Sequence, residues 1–383
     1  MKTGIIRFFA LSLLIIGVTS CGNNLGTNYT QNDKELIPNI VQMEGEDGML
    51  TFTDVCSDLQ LIPLENNRQG MLSNVNKMRI DGDRLFVLDK SSEPRVLEFD
   101  LDGRFITHIG GMGASKSEFQ FVDDIAVDPY TKRVLVLYYN KIKIYDYAGK
   151  FLKDVDLGET DVYNYNIESV KNGYVMSTRY QGYEYLVQLY DKDFNVIKRL
   201  VNVGGKQIKD ISTFNPLSYD GENVCFYDFY ESKYYIFNPE ASDSVSCYSV
   251  KDDNLRTYEK LLNDVNNNQT SEYNGPLGCF YAKDKAYGLY IKDNSCLSYI
   301  FDFKDKTYDV YYNNGWFPTI RDYNDGYYYT ILSAEDVMNI VKVYPGLSPQ
   351  SYQQVFMNEI EKFKEPLKME SNYVLVRMKF KDK

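Results

Sequence analysis

Phe99-Asp100-Leu101-Asp102-Gly103-Arg104-Phe105-Ile106 decides the fold, because the chain writes it again 46 residues later as Tyr145-Asp146-Tyr147-Ala148-Gly149-Lys150-Phe151-Leu152. A third copy follows 45 residues after Tyr145, as Tyr190-Asp191-Lys192-Asp193-Phe194-Asn195-Val196-Ile197, with its turn glycine lost. An aromatic residue, Asp, two free positions and Gly, then a new apolar run, describe a tight turn between two strands. The first two copies are preceded by Arg84-Leu85-Phe86-Val87-Leu88-Asp89 and Arg133-Val134-Leu135-Val136-Leu137, which are strand-like rather than helical. A unit of about four short strands repeating every 40 to 50 residues or so is a propeller blade.

Working outward, a fourth blade is marked by Ile236-Phe237-Asn238-Pro239 and a fifth by Ile300-Phe301-Asp302. A sixth is read from Trp316 through Tyr327–Leu332 to Tyr373–Phe380. Two helix-like insertions are expected, at about 251–272 and 334–370. The last blade then lacks a fourth strand, while Leu59-Gln60-Leu61-Ile62-Pro63-Leu64 stands unattached before blade one. Pairing the two closes the circle and buries both edges. The expected fold is therefore all-β: a six-bladed β-propeller with four antiparallel strands per blade, closed by an N-terminal strand and carrying small helical insertions. The 35 Tyr and 21 Phe suit half-buried pleated surfaces and leave polar-tipped rings at any exposed rim.

Residues 1–20 read as a signal peptide, with Lys2 and Arg7 before an apolar run from Phe8 to Val18 that is short for a membrane span. Val18-Thr19-Ser20-Cys21 resembles a bacterial lipobox, which implies cleavage before Cys21 and its acylation. Residues 21–45 read as a flexible tether and 46–383 as the propeller. Removing the signal takes two of the 42 basic residues and none of the 54 acidic ones, leaving a formal charge of −14. Nucleic acid is a poor partner for that balance. The partners expected are a membrane, through the lipid at Cys21, and a glycan or envelope protein.

The whole mature chain resembles the six-bladed β-propeller lipoproteins of Bacteroidota-type bacteria, related in fold to NHL-repeat propellers. The resemblance rests on the lipobox, Leu61-Ile62-Pro63-Leu64-Glu65, the Leu85–Asp89 strand, Phe99–Ile106 and Val374-Leu375-Val376. It implies a cell-envelope location, with the outer membrane as the anchoring membrane and a periplasm-facing anchor. It implies no general activity. Members often carry a Gly-Pro-Gly-Glu-Tyr loop after blade one, and this chain departs from it with Gly111-Met112-Gly113-Ala114-Ser115-Lys116-Ser117-Glu118-Phe119.

Chemistry is sparse. The one histidine, His108, falls on an outer strand, and none of the five cysteines after Cys21 forms a Cys-x-x-Cys pair. No metal, cofactor or catalytic residue is expected. Gly110-Gly111-Met112-Gly113 lacks the third glycine and helix of a dinucleotide site, and Asp191-Lys192-Asp193 does not continue as a calcium loop. Attention therefore falls on the loops that gather on one face: those joining successive blades, and those joining the second and third strands of each. That face is expected to carry Tyr138, Tyr139, Arg179, Tyr180, Tyr183, Tyr230 and Trp316, which suit stacking on sugar rings or a peptide. The functional expectation is a non-catalytic binding module for a carbohydrate or protein. The alternatives are a polysaccharide lyase or glycoside hydrolase using the same face, and a structural component of an envelope complex.

Overall fold

The computed structural model describes residues 29–36, 39–42, 52–158, 162–208, 215–241, 243–269, 271–312, 319–342 and 351–381. Blade one consists of Val75–Asp81, Arg84–Asp89, Arg95–Asp100 and Phe105–Ile109, paired in that order from the axis outward. Blade two is Asp124–Asp128, Arg133–Tyr138, Lys141–Asp146 and Phe151–Asp156. Blade three is Asn166–Val170, Gly173–Ser177, Tyr185–Asp191 and Val196–Asn202. Blade four is Leu217–Tyr219, Val224–Asp228, Lys233–Phe237 and Ser244–Val250. In blade five, Gly275–Pro276 and Phe280–Ala282 both pair with Lys285–Lys292, followed by Ser295–Asp302 and Thr307–Tyr312.

Blade six is closed as the sequence implies. Asp322–Asn324, Tyr327–Leu332 and Val374–Phe380 are completed by Cys56–Pro63, with Val374 opposite Pro63, Leu375 opposite Ile62 and Val376 opposite Leu61. Side-chain patterns follow position in the blade. The second strand of blade one is buried at every position from Leu85 to Asp89, because both its faces meet neighbouring blades. The fourth strand of blade two, at the rim, has no buried position.

The repeated turn shows why its residues recur. Asp100 Oδ1 accepts the N–H groups of Asp102 and Arg104, and Asp146 Oδ1 accepts that of Lys150. Gly103 and Gly149 have φ of 87° and 78°, and a Cβ on either would sit 2.4 Å from a main-chain oxygen of the preceding blade, Pro63 or His108. Blade three keeps the Asp191 cap without the glycine. Phe194 takes φ of 67° and lays its ring on Tyr174 at 4.6 Å. A register shift one residue before the turn's Asp recurs in blades one, two and three.

The segment read as a tether is a correction. Thr30–Leu36 pairs in parallel with the rim strand of blade four, and Asn39–Gln42 with that of blade five. Its polar composition is compatible with this because a fifth strand at a rim needs only main-chain partners; of Thr30–Leu36 only Leu36 is buried. Residues 1–28, with Cys21 and the lipobox, lie outside the described residues, as does Trp316. Four helices are present among the described residues. A four-residue turn, Phe52–Val55, precedes the closing strand, Tyr258–Asn267 follows blade four, and Ala334–Ile340 and Tyr352–Ile360 interrupt blade six. None is long and apolar enough to cross a membrane.

Candidate functional site

The innermost strands of the blades converge on the axis, and their charged side chains meet there. Lys77 Nζ of blade one reaches Asp124 Oδ2 of blade two at 2.7 Å, Glu168 Oε1 of blade three at 2.8 Å and the Ile167 carbonyl at 2.9 Å. Arg79 makes a two-pronged contact with the same Glu168, Nε lying 3.1 Å from Oε2 and Nη2 pairing with Oε1. Burial alone would raise the Glu168 carboxyl, but Arg79 and Lys77 outweigh it and hold it below its ordinary value. Asp322 of blade six accepts the N–H groups of Ile80 and Tyr323, and burial pushes its carboxyl up to about 7 despite the pull of Arg79.

This network fills the axis on the side of blades one to three. On the side of blades four to six lies a cavity of about 400 Å³, bounded by the starts of the innermost strands of blades one, four, five and six. The innermost strands all begin at the loop-rich face, so the cavity belongs to that end of the axis.

The same face carries an aromatic ridge over blades two and three. Tyr139, 58% exposed, stacks on Phe121 with ring centroids 5.4 Å apart. Its N–H donates to Asp123 Oδ2, which also accepts the Tyr163 hydroxyl at 2.8 Å. Tyr163 leans on Tyr165 at 4.6 Å, and the Arg179 guanidinium lies 3.9 Å over the Tyr165 ring. The Tyr183 hydroxyl accepts the Tyr163 N–H, and Gln181 donates to the Tyr165 hydroxyl. The Lys90 ammonium is hydrogen-bonded to the Asp123 carbonyl, and burial pushes it down although Asp124 and Asp123 oppose this. Tyr139, φ 43°, and Asn140, φ 61°, form the two-residue turn between the second and third strands of blade two that carries the exposed Tyr139 ring.

The structure therefore sorts six of the seven side chains expected on this face, Trp316 lying outside the described residues. Tyr139, Arg179 and Tyr183 come together on the ridge. Tyr180 and Tyr230 are 2% and 4% exposed, lie 4.9 Å apart and pack with Tyr258 into the seam between blades three and four, where with Arg179, Tyr227 and Asp228 they line a small cavity of about 40 Å³. The Tyr180 hydroxyl donates to Asp228 at 2.7 Å, and burial pushes that carboxyl up to about 6. Tyr138 is also displaced from the site, because residues alternate sides along a strand. Its hydroxyl donates to Asp154 on the rim strand, and Lys143 sits over its ring. Phe121, Tyr163 and Tyr165 were missed. All three stand in loops that join successive blades, Phe121 between one and two and Tyr163 and Tyr165 between two and three, where the same rule of converging loops would have found them.

His108 lies on the rim strand of blade one, edge-on to Phe105 at 5.2 Å. The five cysteines are free thiols. Among the described residues no three His, Cys, Asp or Glu side chains are grouped to hold a metal ion.

Architecture and loop face together define a six-bladed propeller with an aromatic surface beside its axis. The chain belongs to the family described as "Domain of unknown function (DUF4934)", whose pattern it matches over residues 37–379. Its structure is similar to that of a putative exported protein from Bacteroides fragilis, with a TM-score of 0.67 at 14% identity, over 90% of this chain and 100% of the other. It is also similar to a DUF4221 family member from Bacteroides vulgatus, with a TM-score of 0.51 at 10% identity, over 85% and 97% of the two chains. At such identities the likeness is one of fold. No curated protein matches the chain in sequence.

Proposed function

We propose that this chain is an exported lipoprotein, anchored through Cys21 to the outer membrane, whose propeller binds a glycan on the ridge formed by Phe121, Tyr139, Tyr163, Tyr165 and Arg179. The observation that carries the reading is the continuity of that ridge: ring faces, one guanidinium and the hydrogen-bonding groups of Asp123 and Gln181 follow one another across two blades. Flat apolar faces edged with polar groups match the two sides of a pyranose. Export is supported by the signal-like first twenty residues and by the likeness to a protein described as exported. Kinship with NHL-repeat propellers is part of the same reading.

A binding role is favoured over catalysis by how the axial carboxylates are used. Asp124 and Glu168 are committed to Lys77 and Arg79, Asp322 accepts main-chain N–H groups, and no carboxylate lines the axial cavity among the described residues. Glycan-array binding by the mature protein, lost in Tyr139→Ala and kept in Tyr138→Phe, is the expected result. Release of shortened products from a bound polysaccharide would transfer the reading to a lyase or hydrolase. Retention by an envelope protein without any glycan signal would transfer it to a protein-binding module. For the anchor, Cys21→Ala should move the protein out of the membrane fraction, and an unchanged distribution would remove the lipid from the proposal.

A further inference from the structure

The axial cavity is chemically unlike the rest of this acidic protein. The chain has 54 acidic against 42 basic residues, yet the described lining of the 400 Å³ cavity includes Lys77, Arg79 and Arg321 and no Asp or Glu. Two of these cations are matched from behind by Asp124 and Glu168. Arg321 is not. Its Nη1 donates to the carbonyls of Val75 and Asn76 at 3.4 and 3.2 Å, and among the described residues no carboxylate pairs with it. Burial pushes its guanidinium down, as expected for a cation without a counter-charge. It also lines a second, polar cavity of about 240 Å³ with Asn74, Thr319, Thr330, Ser333 and Asp336, whose carboxylate is engaged by the Ser333 N–H and hydroxyl, so it stands at the wall between two hollows.

A cavity of this size holds a small molecule, and a low-dielectric hollow walled by one sign of charge concentrates ions of the other. Arg321, with Nε and Nη2 beyond its two main-chain bonds, retains the fork that recognises a two-oxygen anion. Asn76 and Thr319 add uncharged donors to the same wall. We propose that the axial cavity is a binding site for a small ligand bearing a carboxylate or phosphate group, and that Arg321 receives the anion. The site is separate from the aromatic ridge, and its test does not depend on a glycan being bound there.

Cys279 lines the cavity and is partly exposed, while Cys296 of the same blade is exposed outside it, which supplies an internal reference. The mature protein is titrated calorimetrically with glucuronate, inorganic phosphate and glucose, and alkylation of Cys279 and Cys296 by iodoacetamide is followed by mass spectrometry. Saturable binding of glucuronate or phosphate but not glucose is expected, with Cys279 and not Cys296 protected by the anion. Glucuronate alone identifies a carboxylate ligand, and phosphate alone a phosphorylated one. Arg321→Gln should weaken the binding by about tenfold or more, and Arg321→Lys should restore part of it. Absence of binding by both anions at millimolar concentration overturns the proposal. So does equal binding by Arg321→Gln in a variant with an unchanged circular dichroism spectrum. If Arg321→Gln does not fold, Cys279 protection in the unaltered protein decides: equal alkylation with and without anion rejects the site.

Discussion

Lys77 Nζ and Asp124 Oδ2 lie 2.7 Å apart with both side chains 2% exposed, joining the innermost strands of blades one and two across the axis of the ring. A charge pair so fully withdrawn from water is sustained only while every member is matched. Lys77→Met leaves Asp124 without its ammonium and removes one of two cations from Glu168. The expected loss is about 3 to 5 kcal/mol in urea denaturation. Adding Asp124→Leu should recover part of it, and the double variant should lose less than the sum of the singles. A loss under about 1 kcal/mol for Lys77→Met would show the axis to be wet and the pair unimportant.

Asp322 sets the sign of a pH dependence. Its carboxyl is ordinarily half-ionised near 3.8 and in the folded protein near 7. The folded state holds the proton more tightly, so stability falls as pH rises from about 4 to about 7 and then levels. The slope at its steepest is about 1.4 kcal/mol per pH unit. Asp228, pushed up to about 6, adds a term of the same sign. Asp322→Asn should therefore melt at a higher temperature than the natural protein at pH 8 and close to it at pH 5. An identical difference at both values would refute the assignment.

Closure depends on Val374–Phe380, which is paired on both sides, to Tyr327–Leu332 and to Cys56–Pro63. Ending the chain before residue 372 exposes both of those strand edges and should abolish the cooperative transition. Deleting residues up to 42 removes only fifth strands at the rims of blades four and five, and should lower the melting temperature while leaving one cooperative transition. Equal melting curves for the two truncations would contradict the ring.

Tyr139 and Tyr180 should behave oppositely. Tyr139→Ala removes an exposed ring and should weaken ligand binding by about 1 to 3 kcal/mol with little change in melting temperature. Tyr180→Phe removes the hydroxyl that donates to buried Asp228 and should cost about 1 to 3 kcal/mol of stability with affinity unchanged. Measuring both quantities on both variants checks the pair, and loss of affinity in Tyr180→Phe alone would relocate the site to the seam.

The blades were legible because their signals are local. Asp100 caps its own turn, Gly103 answers a left-handed φ, and the runs before them have strand character. Ring closure was legible too, since an unattached strand and an incomplete blade leave one economical solution. The site was only partly legible. Loop position places Tyr139 and Tyr180 on the same end of the molecule, but whether a ring points outward or into a seam depends on packing between blades. Tyr258, on an inserted helix, closes over Tyr180, whereas Tyr139 stacks on Phe121, itself exposed, and stays open to solvent. The axial ion network was invisible for the same reason: Lys77, Asp124 and Glu168 come from three blades and share no local pattern. The fifth strands escaped notice because hydropathy does not record main-chain pairing.

Those fifth strands also shorten the leash. The described chain begins at Tyr29, whose hydroxyl accepts the N–H of Asn202, and Thr30 is already paired with Ser244 at the rim of blade four. Eight peptide steps separate Tyr29 from Cys21, a reach of at most about 30 Å even when fully extended. A lipid on Cys21 would thus hold the propeller within roughly one bilayer thickness of the surface, hung from the edge of blade four rather than floating on a long stalk. The membrane then becomes a neighbour of one particular rim, where blades three and four meet.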